Sequence, residues 1–180
     1  SAQDCRWYAF SGVAELERDA SLTLLAAAAQ AIAARGEFHL VLAGGTTPRR
    51  VYEALRVSNA DWRHWHIYFG DECCLPHGPA ERNIAMASQA WLDHVAIPPR
   101  QVHPIPAESG AVAAAMQYAA VVGKVDYFDL VLLGLGEDGH TASLFPEHDW
   151  GSHSDSPAAL PVLDDPKPPT ERVSPSAYWL

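Results

Sequence analysis

The chain has 180 residues, of which 48% are hydrophobic and 19% charged, a composition typical of one soluble globular domain. Its net charge is −10 and its only lysines are Lys124 and Lys167, so we expect no nucleic-acid partner, because binding a phosphate backbone needs a dense cationic surface. No stretch approaches the roughly 18 uninterrupted apolar residues that indicate a membrane span, so we expect no membrane partner.

Hydrophobic periodicity and turn residues predict helices that alternate with strands along most of the chain. In chain order, the predicted elements are a helix capped by Ser11 or Ser21 and ending at Arg35 before Gly36, a strand at 38–43, a helix through 50–55 that begins at Pro48, a strand at 65–69, a helix at 84–92, a strand at 102–105, a helix at 110–122, a strand at 130–133 and a strand from Val173. This order predicts an α/β fold with an open, doubly wound, mainly parallel sheet and helices on both faces.

Residues 147–169 differ from the rest of the chain, because they are rich in Pro, Ser, Asp and His and have no clear periodicity. Such a segment is typical either of a functional loop or of disorder. The chain has no internal repeat, so we expect residues 1–180 to form a single domain.

Polar clusters follow three of the predicted strands, at 44–48, 71–72 and 137–141. The carboxyl ends of parallel strands lie at one edge of a sheet, where ligands bind in open α/β folds. We therefore expect the three clusters to converge on one site.

The first cluster is the loop Gly44-Gly45-Thr46-Thr47-Pro48, which has two interpretations. The glycines allow close backbone approach, the threonines offer hydroxyl groups, and the following helix directs N–H groups at an anion, so the loop suits a phosphate group. It fits a glycine turn with a threonine N-cap equally well. It is not a Walker loop, because the Gly-Lys-Ser/Thr sequence is absent.

The third cluster lies where Gly134, Gly136 and Gly139 form the G-x-G-x-x-G pattern of dinucleotide-binding loops. Two carboxylates inside the loop would repel a pyrophosphate, and Pro146 interrupts the helix that such a loop needs. The surroundings of the pattern therefore argue against a nicotinamide or flavin cofactor.

The same turn carries His140 two residues after Asp138. A carboxylate beside an imidazole can fix its tautomer and raise its basicity, as a general base requires. His140 and Asp138 are therefore the candidate catalytic pair.

Other cysteines and histidines have simpler interpretations. The three cysteines do not form a disulfide framework, which indicates a reducing, cytoplasmic setting. Cys73, Cys74 and His77 make a poor zinc site, because adjacent cysteines suit tetrahedral geometry badly, and we interpret them as packing residues. The histidines in or beside strands are interpreted as structural: His39, His64 and His66.

Four segments carry a resemblance to a known family. They are Leu-Val-Leu-Ala-Gly-Gly-Thr-Thr-Pro at 40–48, Gly-Asp-Glu at 70–72 with Glu-Arg-Asn at 81–83, the stretch 128–146 with its string Asp-Gly-His-Thr-Ala-Ser-Leu-Phe-Pro, and Pro-Lys-Pro-Pro-Thr-Glu-Arg-Val at 166–173. In this order they resemble the 6-phosphogluconolactonases of the glucosamine/galactosamine-6-phosphate isomerase superfamily. Glucosamine-6-phosphate deaminases share the first loop and the Asp-Gly-His core but diverge after it, so the chain follows the lactonase branch.

The resemblance implies hydrolysis of 6-phospho-D-glucono-1,5-lactone to 6-phosphogluconate in the pentose phosphate pathway, without a metal ion or organic cofactor. His140 would be the general base and Asp138 would orient it. The small anionic lactone would be bound by Gly44, Gly45, Thr46 and Thr47 around its 6-phosphate, and by Asp71, Arg82, Asn83 and Arg172.

Two departures from the family pattern leave alternatives open. Cys73 stands where the family usually has an arginine, and family members continue well beyond a point such as Leu180, so we expect this domain to lack the family's last strand and helix. The alternatives are a sugar-phosphate deaminase or isomerase, and a non-catalytic sugar-phosphate-binding relative. We expect a monomer or a small homo-oligomer.

Overall fold

The computed structural model describes residues 4–75, 80–166 and 168–179. Its helices are α1 (Val13–Arg35), α2 (Thr46–Arg56), α3 (Asn83–Ala90) and α4 (Ala111–Val122). Its strands are β1 (Phe38–Leu42), β2 (Trp65–Phe69), β3 (Glu72–Cys73), β4 (Leu130–Val131), β5 (Ala159–Val162) and β6 (Arg172–Pro175). Helices and strands alternate over most of this part of the chain, as the periodicity predicts.

The first sheet is parallel, in the order β2–β1–β4. β1 pairs with β2 along its whole length, with Phe38 opposite Trp65 and Leu42 opposite Phe69. β4 adds a shorter pairing on the other side of β1. Parallel strands of this kind are buried on both faces, which explains why β1 and β2 are apolar except at His39 and His66.

Helices cover both faces of the parallel sheet. On one face, the Trp65 ring packs edge-on against Phe38 and against Trp91 after α3, with ring centroids 4.9 and 5.7 Å apart. On the other face, Tyr118 of α4 and Val41 of β1 line the same small cavity. The predicted α/β fold with a parallel sheet between helices is confirmed.

The second sheet is antiparallel, in the order β3–β6–β5. The sequence predicts its central strand β6, as a strand from Val173, but neither β3 nor β5. β3 has two residues, too few to show a period, and β5 lies within the segment 147–169 and contains Pro161. Proline is tolerated there because β5 is an edge strand. The predicted parallel arrangement is found in the first sheet but not in the second. The segment 147–169, in which the sequence shows no periodicity, contains strand β5.

Two helices begin at other residues than predicted. Gly12 is the N-cap residue of α1, so neither Ser11 nor Ser21 caps it, and Ser21 lies buried inside the helix. α2 begins at Thr46, which makes Pro48 its third residue instead of its first. None of the described helices has the length and apolar character that a membrane span requires.

Two predicted strands are shorter in the structure. The strand expected at 102–105 is reduced to a single parallel bridge between Val102 and Ile67 of β2. Pro104 and Pro106 lack the N–H groups that would continue the pairing. β4 likewise has two residues instead of four.

Two buried tyrosines fix the carboxyl ends of β1 and β2. The Tyr52 hydroxyl of α2 donates to the carbonyl oxygen of Ala43 (2.7 Å) and accepts a hydrogen bond from the N–H of Ala43 (3.1 Å). The Tyr118 hydroxyl of α4 accepts from the N–H of Phe69 (2.9 Å) and donates to the carbonyl oxygen of His103 (2.8 Å). The loops after these two strands therefore start from fixed points.

Candidate active site

A cavity of about 290 Å³ lies at the carboxyl ends of the parallel strands. The loop after β1, the residues after β2 and the glycine-rich turn after β4 all reach it, as predicted. The predicted site residues that line it are Gly44, Gly45, Asp71, Asn83, His140 and Arg172. The other predicted site residues lie outside its lining: Thr46, Thr47, Arg82 and Asp138.

His140 and Asp138 form a close pair at the cavity. Nδ1 of His140 lies 2.5 Å from Oδ1 of Asp138, which also accepts the backbone N–H of His140 (3.2 Å). The hydrogen bond from the imidazole lowers the pKa of the Asp138 carboxyl, so this group is ionised at neutral pH. With Nδ1–H held by the carboxylate, Nε2 carries the lone pair that a general base uses.

The glycine-rich turn gives the imidazole its position. The Gly136 N–H donates to the carbonyl oxygen of His140 (2.8 Å), and the Gly139 N–H donates to that of Gly136 (3.0 Å). A Cβ atom on Gly136 would overlap the imidazole ring of His140, so only glycine allows the ring to lie here. Residues 134–150 form turns and bends without a helix, so the turn lacks the helix N-terminus that a dinucleotide loop requires.

Phe145 supports the other side of the His140 ring. The centroids of the two rings are 4.6 Å apart with a tilt of 32° between their planes. Phe145 is buried, whereas the His140 side chain is 21% exposed, so one edge of the imidazole reaches the cavity. Phe145 belongs to the string Asp-Gly-His-Thr-Ala-Ser-Leu-Phe-Pro, but the sequence alone does not indicate this contact with His140.

Gly44 and Asn83 are packed tightly against each other. A Cβ atom on Gly44 would overlap the side-chain amide of Asn83, so the close approach requires glycine. The Asn83 amide donates to the backbone carbonyl oxygen of Asp71 (2.9 Å) and to its carboxylate (3.1 Å). This contact links the loop after β1 to the residue after β2.

The N-terminus of α2 points its first residues toward the same edge of the sheet. Gly45 is the N-cap residue, with φ +104°, and no side chain caps the helix. Thr46 and Thr47 are exposed in the first turn, so their N–H and hydroxyl groups are accessible to an anion. The neighbouring arginines point elsewhere: Arg49 pairs with Glu53, and Arg50 pairs with Glu17.

Asp71 is a buried carboxyl group in the wall of the cavity. It accepts a hydrogen bond from the hydroxyl of Ser143 (2.8 Å) in addition to that from Asn83. Burial raises the pKa of Asp71, and the Ser143 hydrogen bond opposes this effect. Asp71 therefore connects the loop after β2 with the segment that follows His140.

Arg172 and Asp165 form an ion pair in the lining of the same cavity as His140. Nε of Arg172 lies 2.6 Å from Oδ2 of Asp165, and both residues line the cavity. Asp165 is buried, and sequence reasoning missed it because it lies in the segment without periodicity. Arg172 therefore lies in the cavity wall, and its contact with a substrate stays a prediction.

Cys73 replaces the arginine that the family resemblance implies, yet a guanidinium lies next to it. Arg172 of β6 is directly opposite Cys73 of β3 in the antiparallel pairing. The Cys73 side chain is buried, and burial raises the pKa of its thiol. His77 lies outside the described residues, so the packing interpretation of Cys73, Cys74 and His77 stays a prediction.

Arg82 does not lie in the cavity wall, in contrast to the expectation of a substrate contact. Its side chain is fully buried, and its guanidinium donates to the carbonyl oxygen of Ile105 (3.0 Å) and to Glu108 (3.2 Å). Its Nε also lies 3.8 Å from the buried carboxylate of Glu72. The adjacent Asn83 reaches the site while Arg82 points into the protein, a difference that a motif cannot reveal.

Known proteins resemble the chain over most of its length. A family model described as Glucosamine-6-phosphate isomerases/6-phosphogluconolactonase matches residues 12–180. A 6-phosphogluconolactonase of Streptomyces coelicolor is 38% identical over 184 residues, covering 88% of this chain and 70% of that protein. A 6-phosphogluconolactonase of Synechocystis is 41% identical over 126 residues, covering 65% of this chain, and the match spans about half (52%) of that relative's length.

Solved structures share the fold. The 6-phosphogluconolactonase of Thermotoga maritima has a TM-score of 0.81 and 25% identity, with 89% of this chain and 72% of that chain covered. The 6-phosphogluconolactonase of Trypanosoma cruzi has a TM-score of 0.82 and 29% identity, with 93% and 73% covered. The chain therefore belongs to the family of glucosamine-6-phosphate isomerases and 6-phosphogluconolactonases.

Proposed function

We propose that the protein hydrolyses 6-phospho-D-glucono-1,5-lactone to 6-phosphogluconate, a reaction of the pentose phosphate pathway. The observation that carries the proposal is the His140–Asp138 pair at a cavity that also borders the glycine-threonine loop. The names of the relatives from Streptomyces coelicolor and Synechocystis support the same reaction.

In this reaction His140 acts as the general base. Nε2 takes a proton from a water molecule whose oxygen attacks the lactone carbonyl carbon, and Asp138 stabilises the imidazolium that forms. Backbone N–H groups at the strand ends stabilise the negative charge on the carbonyl oxygen. The bond between the carbonyl carbon and the ring oxygen then breaks, and the imidazolium returns the proton to that oxygen. In this scheme water is the nucleophile, His140 carries the proton, and backbone N–H groups stabilise the charge.

The 6-phosphate binds at the N-terminus of α2 in this proposal. Gly44 and Gly45 let the backbone approach the phosphate, while Thr46 and Thr47 offer hydroxyl and N–H groups in the first helical turn. Arg172 also lines the cavity and offers guanidinium N–H groups, with Asp165 as its partner on Nε. A cavity of about 290 Å³ lies near the lower end of the range for small-molecule sites, which suits a single sugar phosphate.

We further propose a cytoplasmic location and a monomeric or small homo-oligomeric state. The three cysteines, Cys5, Cys73 and Cys74, are free thiols, which suits a reducing compartment. Light scattering coupled to size-exclusion chromatography measures the oligomeric state directly.

The test is lactone turnover by purified wild-type, His140→Ala and Asp138→Asn proteins, after subtraction of spontaneous hydrolysis. We expect His140→Ala to lower kcat/KM by roughly 10²–10⁴-fold, because it removes the general base. The matched control is His148→Ala, since His148 also pairs with an aspartate (3.1 Å to Asp164) but does not line the cavity.

Three outcomes count against the proposal. Near-wild-type turnover by folded His140→Ala would remove the assignment of the base. Ammonia release from glucosamine 6-phosphate, without lactone hydrolysis, would place the protein on the deaminase branch. Binding of 6-phosphogluconate without any turnover by the wild-type protein would indicate a non-catalytic sugar-phosphate-binding relative.

A further inference from the structure

A second cavity, of about 540 Å³, lies at the amino ends of the parallel strands, away from the candidate active site. His39 and His66 line it from the second positions of β1 and β2, whereas the active-site loops follow the last residues of these strands. Three residues of strand separate His39 from the end of β1, which corresponds to roughly 10 Å. The two cavities are therefore distinct.

Strand pairing brings two histidines together in this second cavity. His39 and His66 are partners in the parallel register of β1 and β2, so their side chains lie on the same face. Their rings stack with centroids 4.6 Å apart and a 20° angle between the planes. Single-sequence patterns do not reveal this proximity, because the two residues are far apart in the chain.

Glu37 completes a set of three possible metal ligands. Its Oε2 lies 2.9 Å from Nε2 of His39, and its Oε1 lies 3.9 Å from Nε2 of His66. One ligand atom from each of the three residues lies within 4.8 Å of the others. Ligand atoms around a tetrahedral zinc ion, at about 2.0–2.1 Å from it, are roughly 3.4 Å apart, so small side-chain rotations close the set around an ion.

A further hydrogen bond supports His39 as a ligand. Its Nδ1 lies 3.1 Å from the hydroxyl of Tyr68. An ion between Nε2 and Glu37 would replace the hydrogen bond that joins them in its absence, and the ring proton would then lie on Nδ1 and donate to Tyr68. The Tyr68 ring in turn stacks on His103, with centroids 4.8 Å apart. Metal-binding histidines usually have such a partner on the second ring nitrogen, because it orients the ring.

We propose that Glu37, His39 and His66 bind a divalent transition-metal ion of the zinc class, with an open coordination position that faces the 540 Å³ cavity. Two imidazoles select zinc and its neighbours in the first transition series over Mg²⁺ and Ca²⁺, which prefer oxygen ligands. Three protein ligands leave a fourth position for water or a small ligand. The His39 and His66 side chains are about one-fifth exposed (19% and 21%), so an ion can reach them.

Zinc titration of the untagged, chelator-stripped full chain tests the proposal. We expect one equivalent of Zn²⁺ to bind wild type, and Glu37→Gln and His66→Ala to lower the affinity at least about tenfold. The matched control is His64→Ala, which should bind like wild type. His64 lies two residues from His66 and pairs with Asp61 (2.7 Å), but it does not belong to the three-ligand set.

Co²⁺ in place of Zn²⁺ gives a second measurement, because its visible absorption reports the coordination geometry. We expect bands of a four- or five-coordinate ion with wild type and His64→Ala, and their loss with Glu37→Gln. Glu37 is exposed, so this variant decides the question even if His66→Ala fails to fold. Absence of the bands in wild type, or Zn²⁺ affinity that survives Glu37→Gln, overturns the proposal.

Discussion

Single glycines determine how closely the side chains of the candidate site approach one another. Gly136 makes room for the imidazole of His140, and Gly44 makes room for the amide of Asn83. The Asn83 amide also holds the carboxylate of Asp71, so Gly44 has an indirect effect on a buried group. The function of these glycines is therefore spatial rather than chemical.

Gly44→Ala should lower the affinity for 6-phosphogluconate and kcat/KM for the lactone by about ten- to a hundredfold. The new methyl group would displace Asn83 and shift the phosphate loop, and displacements of about 1 Å have effects of this size in active sites. Titration calorimetry and steady-state kinetics measure the two quantities. Gly12→Ala is the control, because a Cβ atom there meets nothing within 4 Å. Equal values for Gly44→Ala and wild type would mean that the loop does not contact the ligand.

The sequence places some of these residues correctly because their proximity is local. His140 and Asp138 are two residues apart, so a tight turn is sufficient to bring them together. The position of Arg172 opposite Cys73 depends on the pairing of β3 with β6, and its contact with Asp165 lies in the connection between β5 and β6. The sequence pattern shows neither pairing. Arg82 shows the opposite case. Its motif leads to the expectation of a substrate contact, but its side chain is fully buried and does not line the cavity.

At the scale of elements, Glu72 connects β3 to α3. Its carboxylate accepts the N–H groups of Cys73 (3.0 Å), Asn83 (2.8 Å) and Ile84 (3.0 Å). Two of these donors belong to the first turn of α3, where N–H groups have no intrahelical partner. Glu72 therefore takes the place of an N-cap side chain and fixes the helix that carries Asn83.

Glu72→Gln should destabilise the fold by about 1–3 kcal/mol, because the amide nitrogen that replaces one carboxylate oxygen cannot accept the N–H groups bonded to that oxygen. Urea unfolding monitored by circular dichroism measures the change. Glu81→Gln is the control, since Glu81 is exposed and surface changes are usually within about 0.5 kcal/mol. If both variants have the same midpoint, the side chain of Glu72 does not hold α3 in place.

The sequence predicts a helix or strand well where burial of the element gives a simple hydrophobic pattern. β2 has the predicted bounds and β1 differs by one residue, because both strands are mainly apolar and four of the five residues in each are buried. β3 and β5 escape prediction because one is too short for a period and the other contains Pro161. The pairing of β3 with β6 joins residues that are far apart in the chain, which no local pattern encodes.

At the scale of the whole molecule, α4 connects the two sheets. It packs against β5 and β6 of the antiparallel sheet. Its Tyr118 hydroxyl is also bonded to Phe69 at the end of β2, in the parallel sheet. The active-site cavity takes His140 from a turn after the parallel sheet and Arg172 from the antiparallel sheet, so its geometry depends on this connection.

Tyr118→Phe should therefore lower the stability of the whole fold by about 1–3 kcal/mol. The ring would still fill its buried space, but the N–H of Phe69 and the carbonyl oxygen of His103 would each lose a partner in the core. Thermal and urea unfolding should show one cooperative transition at a lower midpoint, because α4 contacts both sheets. Tyr8→Phe, at a side chain that is 71% exposed, is the matched control and should unfold like wild type. A Tyr118→Phe protein as stable as this control would show that the hydroxyl does not link the two sheets energetically.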